Sequence, residues 1–329
     1  MTAPSSLPAA YGLRLRGEGQ RITARVSRWQ SDAGEIAIKA FSAAERDLGV
    51  REAGLLAFLD GAGDAPGFRV QTLLKTADGA AWADHAGGRV LVTRWEAGDY
   101  RSYDTYSAGE WAALGSSLAA LHRRLDVMAD APVETLSARL RRIDLSTDMA
   151  RLRPESMDLP PHDEIDAAWV ARYLATCRRM LEACHAGALG AFPGDDPQRP
   201  IHNDYNQFNY LFDGVLPPLI IDWEASIGAP REFEVVRCLN HLPLQAPALA
   251  RSFLDAYQAV RPLQRKRMRW AVDVSCLMHA TKHWVLEGWL DRRPGFDRRL
   301  LGAMEMVGML AARRDELATF FGDGVEAVP

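Results

Sequence analysis

The sequence has few of the features that place a chain in a specialised class of protein. Its 329 residues include only four cysteines, Cys177, Cys184, Cys238 and Cys276. Four cysteines cannot build a disulfide framework in a chain of this length, and their spacing matches no CxxC-type zinc or redox site. We therefore expect all four to be reduced and mostly buried. The Walker motif GxxxxGK[ST] is also missing, which excludes the P-loop way of binding a nucleotide.

An excess of one charge sign is missing as well. The 39 Lys and Arg residues stand against 43 Asp and Glu residues, for a formal net charge of −4. A balanced chain has no broad positive field to hold a polyanion, so we expect no nucleic-acid partner. The oligomeric state is left open.

Long apolar runs are absent too. One of the longest stretches without a formally charged residue, between Arg237 and Arg251, contains polar residues and two prolines. It does not predict a membrane helix, so we expect no membrane partner. The first ten residues carry no basic residue and precede no apolar core, unlike a secretory signal. A cytoplasmic location is the expectation.

What the chain does have is a globular composition, with 48% hydrophobic and 25% charged residues. Its length predicts one large domain or two packed lobes. Residues 11–41 alternate as three strands, with turn signals at residues 17–19 and 31–34. Apolar spacing predicts further elements: a helix over residues 46–59 and strands over 68–75 and 89–95.

From residue 107 onward the pattern is helical almost throughout. The exceptions are a polar, proline-containing loop over residues 151–165 and the segment 200–223, where short apolar runs flank a polar cluster. The first part is therefore mainly β and the second mainly α. We expect an α+β fold of two unequal lobes, residues 1–95 and 96–329.

The polar cluster contains the pattern His202-x-Asp204-x4-Asn209, and Asp222 follows on the next apolar run. Phosphoryl transfer needs a carboxylate that orients the attacking hydroxyl and accepts its proton. It also needs hard oxygen ligands, such as Asn and Asp, that hold Mg²⁺ on a triphosphate. The spacing predicts these roles for one loop and the strand after it. A polar loop whose side chains only cap turns is the alternative.

Lys39 is the second part of the case, because it lies in the β-branched strand over residues 36–41. Taken alone, it would be a solvated strand lysine. Glu52, on the following helix, supplies the partner that a buried ammonium needs, and the pair would fix that ammonium near phosphate oxygens. Gly17 and Gly19 would let the first turn close over phosphates, although they complete no GxGxxG motif.

In their order and spacing these residues resemble the aminoglycoside phosphotransferase and choline kinase-like family of small-molecule kinases. The resemblance covers most of the chain, from the Lys39 strand to residues 221–224 and on to Gly228-x-Pro230. It implies a bilobal protein-kinase-like fold with a small β-rich N-lobe and a larger, mainly helical C-lobe. ATP would lie between the lobes.

The resemblance also implies roles for single residues. Asp204 would be the catalytic base, and Asn209 and Asp222 would be the Mg²⁺ ligands. Lys39 would contact phosphate and Glu52 would orient it. The remaining expected nucleotide contacts are phosphate contacts from Gly17 and Gly19 and adenine contacts from the backbone of Arg94, Trp95 and Glu96. GTP is not separated from ATP.

Two positions depart from the family's pattern. Family members often have glycine after the loop histidine and again before the metal-binding asparagine, where this chain has Asn203 and Phe208. We expect these bulkier residues to reshape the loop or the acceptor pocket. Glu234 stands where the family usually has a supporting aspartate.

The expected reaction is therefore ATP- and Mg²⁺-dependent transfer of a γ-phosphoryl group to a hydroxyl of a small molecule, such as an aminoglycoside-like antibiotic. A polycationic acceptor would want acids, and Asp273, Glu287 and Asp291 are candidates. One alternative is a kinase of a cellular metabolite such as an amino alcohol, sugar or amino acid. Another is a catalytically inactive nucleotide-binding regulator. A protein kinase is disfavoured because Trp223 and Glu224 follow Asp222 in place of Phe-Gly.

His279 and His283 suggest a different chemistry, since they are spaced i, i+4 on a predicted helix. This spacing occurs in zinc hydrolases, whose first histidine is followed directly by glutamate. Ala280 stands there in this chain. We therefore interpret both histidines as structural.

Overall fold

The computed structural model describes residues 7–60, 67–128, 134–153 and 165–323. The chain divides into two compact units. The first, called the sheet unit here, runs to Glu134 and adds Arg199–Gly228 and Asp255–Arg261. The second, the helical unit, comprises Thr135–Gln198, Ala229–Leu254 and the residues from Pro262 onward. The lobe boundary at residues 95 and 96 stays a prediction.

All strands of the described residues belong to the sheet unit. They are β1 (Leu15–Arg21), β2 (Val26–Ser31), β3 (Gly34–Phe41), β4 (Arg69–Val70), β5 (Leu73–Leu74), β6 (Ala83–His85), β7 (Gly88–Arg94), β8 (Pro200–Ile201), β9 (Tyr210–Leu211), β10 (Leu219–Ile220) and β11 (Ile227–Gly228). The main sheet has the order β1-β2-β3-β7-β5, and β6 also pairs with β7. Two smaller sheets have the orders β4-β10-β9 and β11-β8.

The helices follow the predicted change from mainly β to mainly α. They are α1 (Leu7–Tyr11), α2 (Arg46–Asp60), α3 (Ala108–Leu125), α4 (Leu136–Arg141), α5 (Leu145–Arg151), α6 (Ala167–Gly190), α7 (Arg231–Leu239), α8 (Leu242–Gln245), α9 (Pro247–Val260), α10 (Arg265–Ala280), α11 (His283–Leu290) and α12 (Phe296–Asp323). The predicted α+β class is confirmed. Most of the predicted loop over 151–165 lies outside the described residues.

The two faces of β3 explain how the sheet carries both a core and a site. Side chains alternate along a strand, so Ile36 and Ile38 point to one face and Ala37 and Lys39 to the other. Ile36 and Ile38 belong to a buried cluster with Trp29 and other apolar residues. Ala37 and Lys39 instead line a cavity. The strand therefore anchors Lys39 by burying its neighbours on the opposite face.

The first turn prediction was wrong. Gly17 and Gly19 lie inside β1, not in a turn. The register runs from Arg16 opposite Gln30 to Gln20 opposite Arg28, so three residues of β1 face one residue of β2 in a bulge. Gly17 has a φ of +68° there, a left-handed conformation that glycine adopts freely. Glycine is favoured both in turns and in bulges, and in this chain these two glycines lie in a bulge.

Three other predicted elements agree with the structure. The turn at residues 31–34 joins β2 to β3, and the predicted helix at 46–59 is α2. The predicted strand at 89–95 is β7. The run over 68–75 divides into the short strands β4 and β5.

The helical unit is held by apolar packing and by ion pairs. Asp273 of α10 pairs with Arg314 of α12, with 2.6 Å between Oδ1 and Nη2. All four cysteines are free and buried, as predicted. None of the helices in the described ranges combines the length and the apolarity that crossing a bilayer requires.

Candidate active site

A cavity of about 740 Å³ lies within the sheet unit. Its wall combines apolar side chains with charged ones. The lining residues include Leu91, Leu211 and Leu219 among the apolar ones and Arg25, Lys39, Glu52, Asp204, Asn209 and Asp222 among the polar ones. The structure therefore brings eight predicted site residues to one cavity: Lys39, Glu52, Arg94, Trp95, Glu96, Asp204, Asn209 and Asp222.

Lys39 is the electrostatic centre of this cavity. Its Nζ lies 2.7 Å from Glu52 Oε2, 2.7 Å from Asp222 Oδ1 and 2.8 Å from Glu224 Oε2. The side chain is only 14% exposed. Burial alone would lower the pKa of the ammonium, but the charges of Glu52, Asp222 and Glu224 raise it above its ordinary value. Lys39 is therefore a fixed positive charge at neutral pH.

Asp204 is oriented by two amides of its own loop. Asn209 Nδ2 donates to both the carbonyl oxygen and Oδ2 of Asp204, at 2.8 Å each. Asn206 Nδ2 donates to Asp204 Oδ1 at 2.8 Å. Because the amide nitrogen of Asn209 serves Asp204, Oδ1 is the atom through which Asn209 can meet a cation.

His202 supports the same loop from beneath. Its Nε2 lies 2.9 Å from the carbonyl oxygen of Ile221, and its Nδ1 accepts the backbone N–H of Asp204 at 3.2 Å. These partners require a proton on Nε2 and none on Nδ1. Burial lowers the pKa of His202 against the opposing charge of Asp204, so the neutral form persists. The imidazole links the Asp204 loop to the residue before Asp222.

Asn203 and Asp222 both have left-handed backbones, with φ values of +63° and +65°. Asparagine and aspartate tolerate this conformation better than most residues with a Cβ. Asn203 also donates through Nδ2 to the carbonyl oxygen of Ala225 at 2.9 Å. Its φ gives a physical reason why this chain can carry asparagine where the family often carries glycine.

The last residue of β7, Arg94, and the two residues after it, Trp95 and Glu96, line the cavity. The backbone N–H of Arg94 donates to the carbonyl oxygen of Thr72, and that of Trp95 to the carbonyl oxygen of Glu35, both at 2.9 Å. These two donors are therefore committed to the sheet. A ligand edge at this segment needs other backbone atoms.

Gly17 and Gly19 are not among the residues that line the cavity, and their contact with phosphate stays a prediction. The tip between β1 and β2 lines it through Thr23, Ala24 and Arg25. Sequence reasoning missed Arg25 because arginine in a hairpin is usually solvated. It also passed over Glu224, although this residue stands in the motif that contains Asp222.

Three large apolar or aromatic side chains on the cavity wall are exposed. Ile22 is 42% exposed, Tyr100 58% and Phe208 70%. Partial desolvation and the charge of Asp222 raise the pKa of Tyr100. An exposed aromatic ring at a cavity mouth is available to a ligand.

Hydrogen bonds join the segment that carries Tyr100 to the segment that carries Phe208. They lie before and after each of these two residues in the sequence. Asp99 and Phe212 exchange backbone hydrogen bonds of 2.9 and 3.1 Å. Tyr103 N–H donates to Gln207 Oε1 at 2.7 Å, and Gln207 N–H donates to Tyr103 Oη at 3.1 Å. The aromatic part of the wall is thereby held in place beside Asp204.

The remaining candidates lie in the helical unit. Asp273 is engaged by Arg314, and Glu234 is buried in α7. His283 Nε2 lies 2.7 Å from Asp148 Oδ1, whereas His279 Nδ1 lies 3.2 Å from Lys282 Nζ. The two histidines thus have separate partners, which agrees with a structural interpretation.

Comparison with known proteins gives this arrangement a family. The profile described as "Phosphotransferase enzyme family", or APH, matches residues 18–271. No curated protein matches the chain by sequence.

Solved structures share the fold at low identity. Spectinomycin phosphotransferase APH(9)-Ia, in complex with ADP and spectinomycin, aligns with a TM-score of 0.65 at 14% identity, over 95% of this chain and 97% of its own. A choline/ethanolamine kinase family protein from Mesorhizobium loti aligns with a TM-score of 0.59 at 18% identity, over 93% of each chain. A microcompartment-associated aminopropanol kinase aligns with a TM-score of 0.56 at 16% identity, over 97% of each chain. The predicted protein-kinase-like fold is confirmed, and the chain belongs to the phosphotransferase enzyme family, with the fold of the small-molecule kinases.

Proposed function

We propose that the protein transfers the γ-phosphoryl group of ATP to a hydroxyl of a small molecule bound in the cavity of the sheet unit. One observation carries the proposal. A carboxylate fixed by two amides, two oxygen donors suited to Mg²⁺ and a buried lysine all face the same cavity. A cytoplasmic location, where ATP is available, is part of this proposal.

In the reaction, Asp204 accepts the proton of the acceptor hydroxyl as its oxygen forms a bond to the γ-phosphorus. The bond from that phosphorus to the bridging oxygen breaks, and ADP leaves with the electron pair. The products are a phosphate monoester, ADP and a proton that passes from Asp204 to water. The hydrogen bonds from Asn206 and Asn209 hold the carboxylate where it meets the hydroxyl, so catalysis rests mainly on positioning.

The donor set fits Mg²⁺, which prefers hard oxygen ligands. Asn209 offers Oδ1, since its Nδ2 serves Asp204, and Asp222 offers its carboxylate. Mg²⁺ bound by these two residues would neutralise charge on the triphosphate. Lys39, whose Nζ contacts Asp222, would contribute a second positive charge, and Glu52 keeps that ammonium in position.

For the base of the nucleotide we assign the Glu96 segment. Because the N–H groups of Arg94 and Trp95 bond within the sheet, we expect the backbone N–H of Glu96 to donate to the adenine edge. Leu91 and Leu219 would cover the faces of the ring, since both line the cavity.

For the acceptor we propose a hydroxylated amine. Tyr100 and Phe208 offer exposed rings next to the carboxylates of Asp204 and Asp222. Aromatic faces and carboxylates together attract an organic cation. This class includes amine-bearing antibiotics and amino alcohols, so both remain candidates within one proposal. An ADP-release screen over both groups and over neutral sugars tests it. Turnover confined to neutral sugars would contradict the assigned class.

The decisive test of the function is Asp204→Asn, which keeps the side-chain size but removes the base. We expect turnover to fall by about 10²- to 10⁴-fold, the usual contribution of a general base. Nucleotide affinity should stay within about threefold, because Asp204 is not assigned to the nucleotide. Initial rates of ADP release and calorimetric titration measure the two quantities.

Asp84→Asn is the matched control, because Asp84 is an exposed carboxylate of β6 outside the cavity. It should leave both quantities unchanged. Turnover by Asp204→Asn at the wild-type rate would refute the role of the base. If the protein binds nucleotide but releases no ADP from ATP with any acceptor tested, the inactive regulator would be favoured.

A further inference from the structure

We propose that Arg25 binds a phosphate group of the nucleotide, and that the carboxylate of Glu224 occupies the place of this phosphate when no nucleotide is bound. The inference rests on the proposed function, and it names a residue and an exchange of ion pairs that the reaction alone does not require. Arg25 lines the cavity from the tip between β1 and β2.

The geometry of Glu224 is the first argument. Its Oε1 lies 2.5 Å from Arg25 Nη2, and its Oε2 lies 2.8 Å from Lys39 Nζ. Each oxygen of one carboxylate thus meets a different cation. A phosphate group presents two oxygens in a similar way, and arginine binds phosphate and carboxylate by the same planar fork. Two cations that share one carboxylate can therefore share a phosphate.

The two cations are placed together by the sheet itself. Val26 of β2 is the register partner of Lys39 on β3, so Arg25 comes one residue before that pair. The backbone of Arg25 is held at both ends: its N–H donates to Thr23 Oγ1 at 3.2 Å, and its carbonyl oxygen accepts from Ala40 at 2.9 Å. The backbone of Arg25 is thus fixed, and its guanidinium is held by Glu45 and Glu224, so little ordering remains when an anion binds.

The backbone of the hairpin tip gives the second argument. The N–H groups of Ile22 and Thr23 donate to the carbonyl oxygen of Val26 at 2.9 and 3.1 Å. Those of Arg25 and Val26 donate to Thr23 Oγ1 at 3.2 and 3.0 Å. These four donors are used inside the hairpin and do not cradle a phosphate. Among the residues of this tip that line the cavity, Arg25 carries the positive charge, so its side chain is the main group with which the tip can recognise a phosphate.

The charges around Lys39 give the third argument. Three carboxylates, Glu52, Asp222 and Glu224, have oxygens within 4.8 Å of one another. Lys39 donates hydrogen bonds to Glu52 and Asp222, whereas buried Oε2 of Glu224 has only the ion pair and no hydrogen-bond geometry. Of the three carboxylates, Glu224 is thus the one that Lys39 holds most weakly. An arriving phosphate therefore displaces Glu224 from Lys39 more readily than it displaces Glu52 or Asp222.

The test compares a nucleotide that has phosphates with one that has none. Calorimetric titrations use AMP-PNP with Mg²⁺, and adenosine, on wild-type protein and on Arg25→Gln, Arg25→Lys and Glu224→Gln. Arg46→Gln is the matched control, since Arg46 is an exposed arginine of the sheet unit outside the cavity. Thermal unfolding of each variant checks that it is folded.

We expect Arg25→Gln to weaken AMP-PNP binding by about 10- to 100-fold, the effect of one charge-assisted hydrogen bond. Adenosine binding should change by less than about twofold. Arg25→Lys should fall between wild type and Arg25→Gln, because it keeps the charge and loses the fork. Glu224→Gln should tighten AMP-PNP binding, because the competing internal anion has lost its charge.

Three results would overturn the inference while leaving the proposed function intact. They are an Arg25→Gln effect no larger than that of Arg46→Gln, equal losses for AMP-PNP and adenosine, and weaker AMP-PNP binding by Glu224→Gln. If wild-type protein binds neither ligand, the proposed function itself fails and the inference falls with it.

Discussion

Phe208 is one of the two residues at which the sequence predicts a departure from the family's pattern. It stands directly before Asn209, where the family often has glycine, and its side chain is 70% exposed at the cavity. Exposure of a large aromatic ring gains nothing for folding, because the hydrophobic effect rewards burial. The ring is therefore a candidate contact for the acceptor.

Replacing this ring should change how the acceptor binds. We expect Phe208→Gly to raise the KM for an amine-bearing acceptor by roughly 2- to 30-fold, the range of a cation–π contact. The KM for ATP should stay within about twofold, because the ring is not assigned to the nucleotide. Steady-state kinetics with each substrate varied in turn measures both.

Val127→Ala is the control for this substitution, since Val127 is a similarly exposed apolar residue that does not line the cavity. It should leave both constants unchanged. An unchanged acceptor KM in Phe208→Gly would remove the ring from the acceptor site. A rise in the KM for ATP alone would assign it to the nucleotide.

At this scale, identity and spacing predicted which residues meet. Lys39 and Glu52 are 13 positions apart, on a strand and the helix after it, and their 2.7 Å contact follows from that local order. Arg25 and Glu224 are 199 positions apart. No local pattern connects them, because their contact depends on how β2, β3 and the segment after β10 come together. Sequence reasoning therefore had no signal that pointed to the Arg25–Glu224 pair.

At the scale of elements, the bulge in β1 shows how one residue type supports two interpretations. Glycine marks turns, and it also marks bulges and close approaches inside strands. A Cβ on Gly19 would lie 2.1 Å from Cε2 of Trp29. Trp29 is buried in the core of the sheet. Gly19 is therefore required by packing in this structure.

Gly19→Ala should accordingly destabilise the protein. The tryptophan ring would have to move within a close-packed core, which costs about 1–3 kcal/mol in the free energy of unfolding. Urea unfolding measures the change. Adding Trp29→Phe should relieve part of the clash, so the double variant should lose less than the sum of the single losses.

Gly302→Ala is the control for the backbone effect. Gly302 lies in α12, and a Cβ there would have nothing within 4 Å. Alanine in a helix interior should stabilise by roughly 0.5–1 kcal/mol. An equal stabilisation by Gly19→Ala would show that the glycine is not needed for packing and would favour its predicted part at the phosphates.

The spacing of apolar residues predicted helices and strands better than the glycine-based turn signals did. The strand over 89–95 and the helix over 46–59 were located because a buried face imposes a period of 2 or 3.6 on the sequence. The run over 68–75 has no such constraint along its length, since β4 and β5 belong to different sheets. The pairing partner changes from β10 for β4 to β7 for β5, and a continuous apolar run does not record this.

At the scale of the whole molecule, the near-neutral charge and the charged cavity are compatible. A net charge of −4 over 329 residues excludes a broad field but places no limit on a local cluster. Lys39 and Arg25, which both line the cavity, form such a cluster with the carboxylates of Glu52, Asp222 and Glu224. A nucleotide that binds there lowers the free energy of the folded state and not that of the unfolded state, so it should stabilise the whole protein.

This linkage gives the last prediction. AMP-PNP at about 100 times its Kd should stabilise the folded state by about 2.7 kcal/mol, which corresponds to a rise in Tm of roughly 3–8 °C. Most of the rise should require Mg²⁺, because hard oxygen donors and phosphates bind the metal together. Asp222→Ala should lose the Mg²⁺-dependent part, whereas Asp84→Asn should keep it. Differential scanning calorimetry with Mg²⁺ or with EDTA separates the Mg²⁺-dependent part of the rise from the rest.

A full rise in Tm in EDTA, or an unchanged Mg²⁺ effect in Asp222→Ala, would contradict the assignment of Asp222 as a metal ligand. The phosphates would then be held by Lys39 and Arg25 alone.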